Sequence, residues 1–261
     1  MSGELSRDEV FALLDRLERG ELRAAEPDGD GWRVNAEVKQ GILRAFHLGV
    51  DTDLPAPLFA FRDRDTLPPR AELPPGVRVV PGGTAIRRGA FVAKGVVIMP
   101  PAYVNVGAYV GEGTMIDSHA LVGSCAQVGR RVHLSAAAQI GGVLEPVGAL
   151  PVVVEDDVFV GGGVGLYEGV RVRSRAVLAA GVILTASSVV YDLVNECELR
   201  ATEAGLLTVP QGAVVVPGSR PAPGSWAHVR GLSISAAVIV KYRDGKTDAR
   251  TALEGILHRT S

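Results

Sequence analysis

Between residues 86 and 190 an aliphatic side chain returns at every sixth position. The series runs Ile86, Val92, Ile98, Val104, Val110, Ile116, Val122, Val128, Leu134 and Ile140, then after an interruption Val154, Val160, Leu166, Val172, Leu178, Leu184 and Val190. Four residues after each early member stands a small or short one: Ala90, Val96, Ala102, Ala108, Thr114, Ala120, Ala126, Val132 and Ala138. A period of six is neither the 3.6 of a helix nor the alternation of a half-buried strand. It is the hexapeptide signature of a parallel β-helix. Each hexad supplies one short strand and one corner, so three hexads close a triangular coil with the aliphatic pointing inward. Coils stacked about 4.8 Å apart make a prism roughly 27 Å long. Its open ends require caps. Gly89, Gly95, Gly107 and Gly113 fall near corners, where tight or left-handed backbone is expected.

The flanks read differently. Residues 6 to 19 form an amphipathic helix, opened by a Ser6/Glu9 capping box and lined by Val10, Leu13, Leu14 and Leu17. A second helix is predicted from about Asn35 to Leu48, with Val38, Ile42, Leu43 and Phe46 apolar. EPDGDG between them is a turn-rich linker, and DLPAP and TLPPRAELPPG mark the approach to the prism. The chain therefore divides into a helical N-terminal cap (1–72), the β-helix (73–192) and a C-terminal extension of strands and helix (193–261). The segment GGVLEPVGALPVV, 141–153, leaves the hexad spacing, and such a loop is expected to contact a partner subunit or cover a site. After Val190 a strand hairpin, the strand SAAVIVKYRDG and a closing helix at 248–258 are expected.

Composition narrows the function. With 47% hydrophobic but only 5% aromatic residues, the core must be built from Val, Ala, Leu and Ile. The balance of 27 basic against 29 acidic residues excludes a sequence-independent grip on nucleic acid. No apolar run approaches the roughly 18 residues of a membrane span, and the charged start MSGELSRDEVFALLDRLERGE is not a signal peptide. Cys125 and Cys197 lack metal or redox spacing, which fits a reduced, cytoplasmic compartment with Cys125 as a small buried filler. Only His119 and His133 lie in the prism, too few for a zinc site built on three histidines, so no metal is expected. Thr84, Thr114 and Thr185 are too sparse for an ice-binding ladder.

A sharper likeness lies in particular segments. VRVVPGGTAIRRGAF, MPPAYVNVGAYVGEGTMID, VGSCAQVG, VHLS and IGGVLEP resemble the tetrahydrodipicolinate N-succinyltransferase family of lysine and diaminopimelate biosynthesis. WRVNAEVKQGILRAF, PQGAVVVPG and AVIVK extend the likeness in the same order over nearly the whole chain. The resemblance implies a left-handed coil and a homotrimer with sites between subunits. It also implies succinyl-CoA, or another acyl-CoA, as cosubstrate, with no permanently bound cofactor. The acceptor implied is a small amino dicarboxylate. Such chemistry needs a cation for a carboxylate, a carboxylate near the attacking amine and donors for the thioester oxyanion. Arg78 and Asp117 match the family's substrate-contacting arginine and aspartate: Arg78 can clamp a carboxylate through its guanidinium fork, and Asp117 can orient the amine or accept its proton. Lys241, Lys246 and Arg250 are candidates for CoA phosphates.

Departures concentrate in the same segments. A family stretch resembling GARSEVVEG is GGGVGLYEG here, so Gly163 replaces an arginine and Gly165 a glutamate, while Glu168 survives at another place in the hexad. The tryptophan two residues after the aspartate is His119, and LSGGVGIGG has become LSAAAQIGG, bringing in Gln139. Because histidine is the usual base in other hexapeptide acyltransferases, His119 is a candidate substitute. Two alternatives follow. One is a diverged member using another acyl donor, such as acetyl-CoA, or a related amino dicarboxylate in a specialised pathway of the tabtoxin type. The other is a catalytically silent, ligand-binding paralogue.

Overall fold

The protein is described by a computed structural model covering residues 5–54 and 60–244. Three parallel sheets are laid down in rotation. Sheet I takes Arg78–Val79, Val97–Ile98, Met115–Ile116, His133–Leu134, Phe159–Val160 and Val177–Leu178. Sheet II takes Ala85–Ile86, Tyr103–Val104, Leu121–Val122, Gln139–Ile140, Gly165–Leu166 and Ile183–Leu184. Sheet III takes Phe91–Val92, Tyr109–Val110, Gln127–Val128, Val153–Val154 and Val170–Val172. Pairing repeats once per three hexads, as in Tyr109 opposite Gln127 and Met115 opposite His133. Across the insertion the partners become Gln127 with Val153 and Gln139 with Gly165. The extra residues are thus ejected whole, and no inward side chain changes face.

The core follows the hexads. Both the recurring aliphatic and the small residue four places on point inward; Val110, Ile116, Val122, Ala126, Leu134 and Ala138 are all fully buried. The residue between them turns the corner. It is left-handed at Gly95, Gly113, Gly163 and Gly181, and also at His119, Cys125, Arg131, Ala137, Asp157 and Arg175. A left-handed residue with a Cβ costs about 1–2 kcal/mol, so these corners are held by the stacked coils and not by local preference.

The cap is less purely helical than its sequence suggests. Helices α1 (Arg7–Glu18) and α2 (Ala36–Leu48) are present, and Ser6 makes the reciprocal capping box with Glu9. The turn-rich linker, however, is a hairpin of β1 (Ala25–Asp28) and β2 (Gly31–Val34). A second hairpin, β3 (Asp51–Leu54) with β4 (Phe61–Arg64), follows α2. Val10, Leu14, Leu17, Val38 and Ile42 pack on Val106 and Cys125 at the corner between sheets II and III. Contact there is tight: a Cβ on Gly107 would stand 2.7 Å from Ile42 Cδ1.

Lys39 of α2 is fully buried where sequence periodicity would place a solvated lysine. Its Nζ donates to the carbonyls of Ala149 (2.7 Å) and Pro146 (3.4 Å), pinning the 141–153 loop against the cap. The loop is therefore clamped to its own subunit at the II/III corner, with Val143 and Val152 buried. Lys39→Met keeps the stem but strands both carbonyls, and is expected to cost about 1–3 kcal/mol. Chemical denaturation will measure the loss, and faster hydrogen exchange confined to 141–153 will locate it.

Cys125 is buried among these residues, and burial pushes its thiol up to about 12. Between pH 9 and 12 the unfolded chain sheds this proton while the folded chain keeps it, so stability falls as pH rises through that window. The slope approaches about 1.4 kcal/mol per pH unit at most. Tyr242, also raised to about 12, adds the same sign only above its ordinary value of 10.0. Comparing wild type with Cys125→Ala between pH 9 and 10 therefore isolates the thiol. Under native conditions a thiol reagent should label exposed Cys197 and spare Cys125.

The coil also runs further than the hexad series. Val190 leaves the series, pairing instead with Leu199 and Ala237 in an extension of sheet I. After that excursion Leu207–Val209 rejoins sheet III beside Val170–Val172, and Ala213–Pro221 rejoins sheet I beside Val177–Leu178. Ala213–Pro221 then forms a long antiparallel hairpin with Ser233–Tyr242. The predicted closing helix lies outside the described residues.

Candidate active site

The cap and the clamped loop cover the II/III corner, leaving the I/II corner open. There the chain passes from Met115–Ile116 to Leu121–Val122 through Asp117, Ser118, His119 and Ala120. The Asp117 backbone N–H donates to Leu134 O at 2.8 Å, continuing the sheet, and its Oδ1 accepts from Ser118 N at 2.7 Å. One carboxylate oxygen thus fixes the turn. The other, Oδ2, has no hydrogen-bond partner among the described residues and is available to a ligand. His119 is exposed, with φ of 63°, and its ring makes no hydrogen bond among the described residues.

Arg78 opens sheet I and is exposed, opposite Val97, which is opposite Met115. Its row is thus two strand spacings, about 10 Å, from that of Asp117. No ion pair joins them, so neither group is neutralised by the other. Lys241 lies at the far end of the same sheet, seven strand spacings or about 34 Å from Arg78. Its ammonium pairs with Asp244 at 3.3 Å. A single chain therefore does not bring Lys241 to the Arg78–Asp117 site. Lys246 and Arg250 lie outside the described residues.

At the departure from the family pattern the structure shows what fills the space. Gly165 is buried on the outer side of sheet II because the Tyr167 ring folds back over it. A Cβ at Gly165 would stand 2.6 Å from Tyr167 Cε2 and 3.0 Å from its hydroxyl oxygen. Gly141 supports the other side of the ring, where a Cβ would lie 3.1 Å from Tyr167 Cδ1. The Tyr167 hydroxyl donates to Gln139 Oε1 at 2.8 Å. Gln139 belongs to the strand that leaves the next I/II corner after Asp117. A neutral phenol–amide pair thus occupies the row where a carboxylate would stand. Tyr167 escaped sequence reasoning; the available signal was a strand glycine, which often marks close approach by another group. Glu168 is exposed at the II/III corner, away from Asp117, and does not replace the lost carboxylate. Among the described residues no cluster of His, Cys, Asp and Glu is arranged to hold a metal ion.

These features define a hexapeptide-repeat protein with an open corner that carries Asp117 and His119. A family model for the N-terminal part of tetrahydrodipicolinate N-succinyltransferases matches residues 2–48, and one for the hexapeptide repeat of succinyl-transferases matches 151–186. A 2,3,4,5-tetrahydropyridine-2,6-dicarboxylate N-succinyltransferase of Afipia carboxidovorans is 43% identical over 258 residues, covering 96% of this chain and 89% of the relative. The protein of the same name from Bradyrhizobium diazoefficiens is 44% identical with the same coverage. Protein TabB of Pseudomonas amygdali pv. tabaci is 44% identical over 131 residues, 50% of this chain and 44% of that protein. A solved Campylobacter jejuni chain, described as a candidate 2,3,4,5-tetrahydropyridine-2-carboxylate N-succinyltransferase, shares the fold at TM-score 0.53 and 18% identity. The match covers 89% of this chain and spans 63% of that one. The chain belongs to the tetrahydrodipicolinate N-succinyltransferase family.

Proposed function

We propose that this chain is a CoA-dependent N-acyltransferase that moves the succinyl group of succinyl-CoA to the amine of ring-opened tetrahydrodipicolinate. The observation that carries the reading is identity of 43% sustained over 96% of the chain to a relative of that name. In the reaction the amine attacks the thioester carbonyl, a C–N bond forms, the C–S bond breaks, and the amine proton leaves as the CoA thiol is released. Asp117 Oδ2 receives or orients the amine proton, and Arg78 holds a substrate carboxylate. His119, next to Asp117 and unencumbered, is the second candidate to handle the proton.

The reading includes a left-handed β-helix assembled as a homotrimer in the cytoplasm, with the site between subunits. Support for an interface on the outer side of sheet II comes from Tyr103 and Ile183, which are 37% and 52% exposed there. Across such an interface a neighbour's Lys241 can approach the Arg78–Asp117 site from which the same chain's Lys241 is remote, and Lys246 and Arg250 remain the other candidates for CoA phosphates.

A second reading, transfer of a different acyl group, is favoured by Gly165. The Tyr167–Gln139 pair leaves that row without a charged group, which changes what the acyl chain's far end meets. Thiol release from succinyl-CoA and from acetyl-CoA, each with tetrahydrodipicolinate and with L-2-aminopimelate, decides between them. Rapid release with succinyl-CoA and tetrahydrodipicolinate supports the first reading, and preference for acetyl-CoA supports the second. Absence of release from either donor, with the protein folded, removes both. A monomer by light scattering at micromolar concentration would remove the inter-subunit site.

A further inference from the structure

Far from the I/II corner, the β1–β2 hairpin overhangs the outer side of sheet III and encloses an open cavity of about 500 Å³. Its walls hold an excess of positive charge. Arg171 is spent on Glu155, with Nη2 at 2.6 Å and Nε at 2.8 Å from the same oxygen. Arg130 is spent on Asp156 at 2.8 Å. The other two guanidinium groups are held less fully. Arg23 donates its Nε to the Gln127 side-chain carbonyl at 2.9 Å and lies 3.6 Å above the Tyr109 ring, with no carboxylate in ion-pair range. Burial lowers its pKa, outweighing the opposing pull of Tyr109 and of the more distant Glu26 and Asp156 carboxylates. Arg173 reaches only Asp30, 3.5 Å away on the hairpin turn and 99% exposed, while its Nε is buried without a hydrogen-bond partner.

Desolvated cations and unpaired donors are costly unless something answers them. A carboxylate is satisfied by one guanidinium fork, whereas a phosphoryl dianion offers three oxygens and two charges to donors from two walls. We infer that this cavity binds a phosphoryl anion, held by Arg23 and Arg173 between the hairpin and sheet III. Trp32, whose ring has the Arg23 guanidinium 5.3 Å from its centroid, closes the hairpin side. The phosphoryl group can be free phosphate or part of a nucleotide, for which Trp32 supplies a flat surface. This binding does not depend on which acyl group the protein transfers.

The chain has two tryptophans, and Trp226 stands 63% exposed in the short C-terminal helix Ser225–Val229. In a Trp226→Phe background, Trp32 fluorescence therefore reports on the cavity alone. Inorganic phosphate and adenosine 3′,5′-bisphosphate, titrated at constant ionic strength against chloride, should give a saturable change. Arg23→Gln and Arg173→Gln should each weaken it at least about tenfold. Saturation by phosphate identifies the free ion, and saturation only by the bisphosphate identifies a nucleotide source; either carries the inference. No saturation by either probe, a matching response to chloride, or unaltered binding in Arg173→Gln would overturn it. Arg23 packs on Tyr109 and its loss can disturb the fold, so Arg173→Gln, with melting temperature checked against the parent, is the deciding variant.

Discussion

Asp117→Asn is expected to lower kcat/KM for thiol release by about 10²–10⁴-fold, equivalent to about 3–5.5 kcal/mol of transition-state stabilisation, while leaving the fold intact. The amide keeps an oxygen to accept from Ser118 N, so the corner hydrogen bond at 2.7 Å survives. What it loses is the negative charge and the free lone pairs of Oδ2. A matching loss in kcat and kcat/KM would show that the carboxylate acts in the transition state, whereas a rise in KM alone would show uniform substrate binding. The companion variant is His119→Gly rather than alanine. His119 is left-handed, and Gly163 and Gly181 already occupy later positions of the same corner column. Glycine thus removes the imidazole while relieving backbone strain, so lost activity cannot be blamed on unfolding. Unchanged turnover in His119→Gly beside a dead Asp117→Asn would leave the aspartate as the sole proton-handling side chain and discard the histidine.

The hexads were legible because the interior is narrow. Every inward side chain is constrained by its neighbours one coil above and below, and the constraint repeats in the chain as a period. Even the insertion obeys it, since Val154 and Leu166 resume in line with Val128 and Ile140. Legibility failed where an element is specified by something distant. β1 is a short, polar strand containing Pro27 and lacks the pattern of a half-buried strand, while the alternation of β2 is only four residues long; pairing with each other and packing over sheet III make them strands. Lys39 looks like a surface residue on α2, but the inserted loop lies over it with two carbonyls for its ammonium. Likewise Arg131 and Ala137 give no local hint of left-handed backbone, because strand pairing above and below imposes it. At the candidate site the same division holds. Asp117 and Arg78 stand in segments that carry the family resemblance, whereas the replacement for the glutamate depends on where one corner tyrosine swings its ring.

That replacement yields the second large effect. Gly165→Glu alone is expected to lower both the melting temperature and the activity. Its Cβ would enter within 2.6 Å of the Tyr167 ring and 2.9 Å of Ile183 Cδ1. The ring is pinned from below by Gly141 and at its hydroxyl by Gln139. Overpacking of this kind costs about 1–3 kcal/mol, and the displaced ring gives up its hydrogen bond as well. Adding Tyr167→Val removes the ring, leaves only the flexible tip of Ile183 to shift aside, and restores the family residues at positions 165 and 167. The double variant should therefore recover most of the melting temperature lost by the single one, a coupling expected for residues in direct contact. Its donor preference is the informative quantity. If the neutral Tyr167–Gln139 pair sets what the acyl chain meets, the ratio of kcat/KM for succinyl-CoA to that for acetyl-CoA should change by about tenfold or more, the value of one hydrogen bond to a charged group. Tyr167→Phe, which keeps the ring and deletes only the hydroxyl, should move the same ratio with little change in stability, because the Gln139 amide is exposed and passes to water. Ratios identical in wild type, Tyr167→Phe and the double variant would mean that this row does not meet the acyl group, and that donor choice is made elsewhere in the groove.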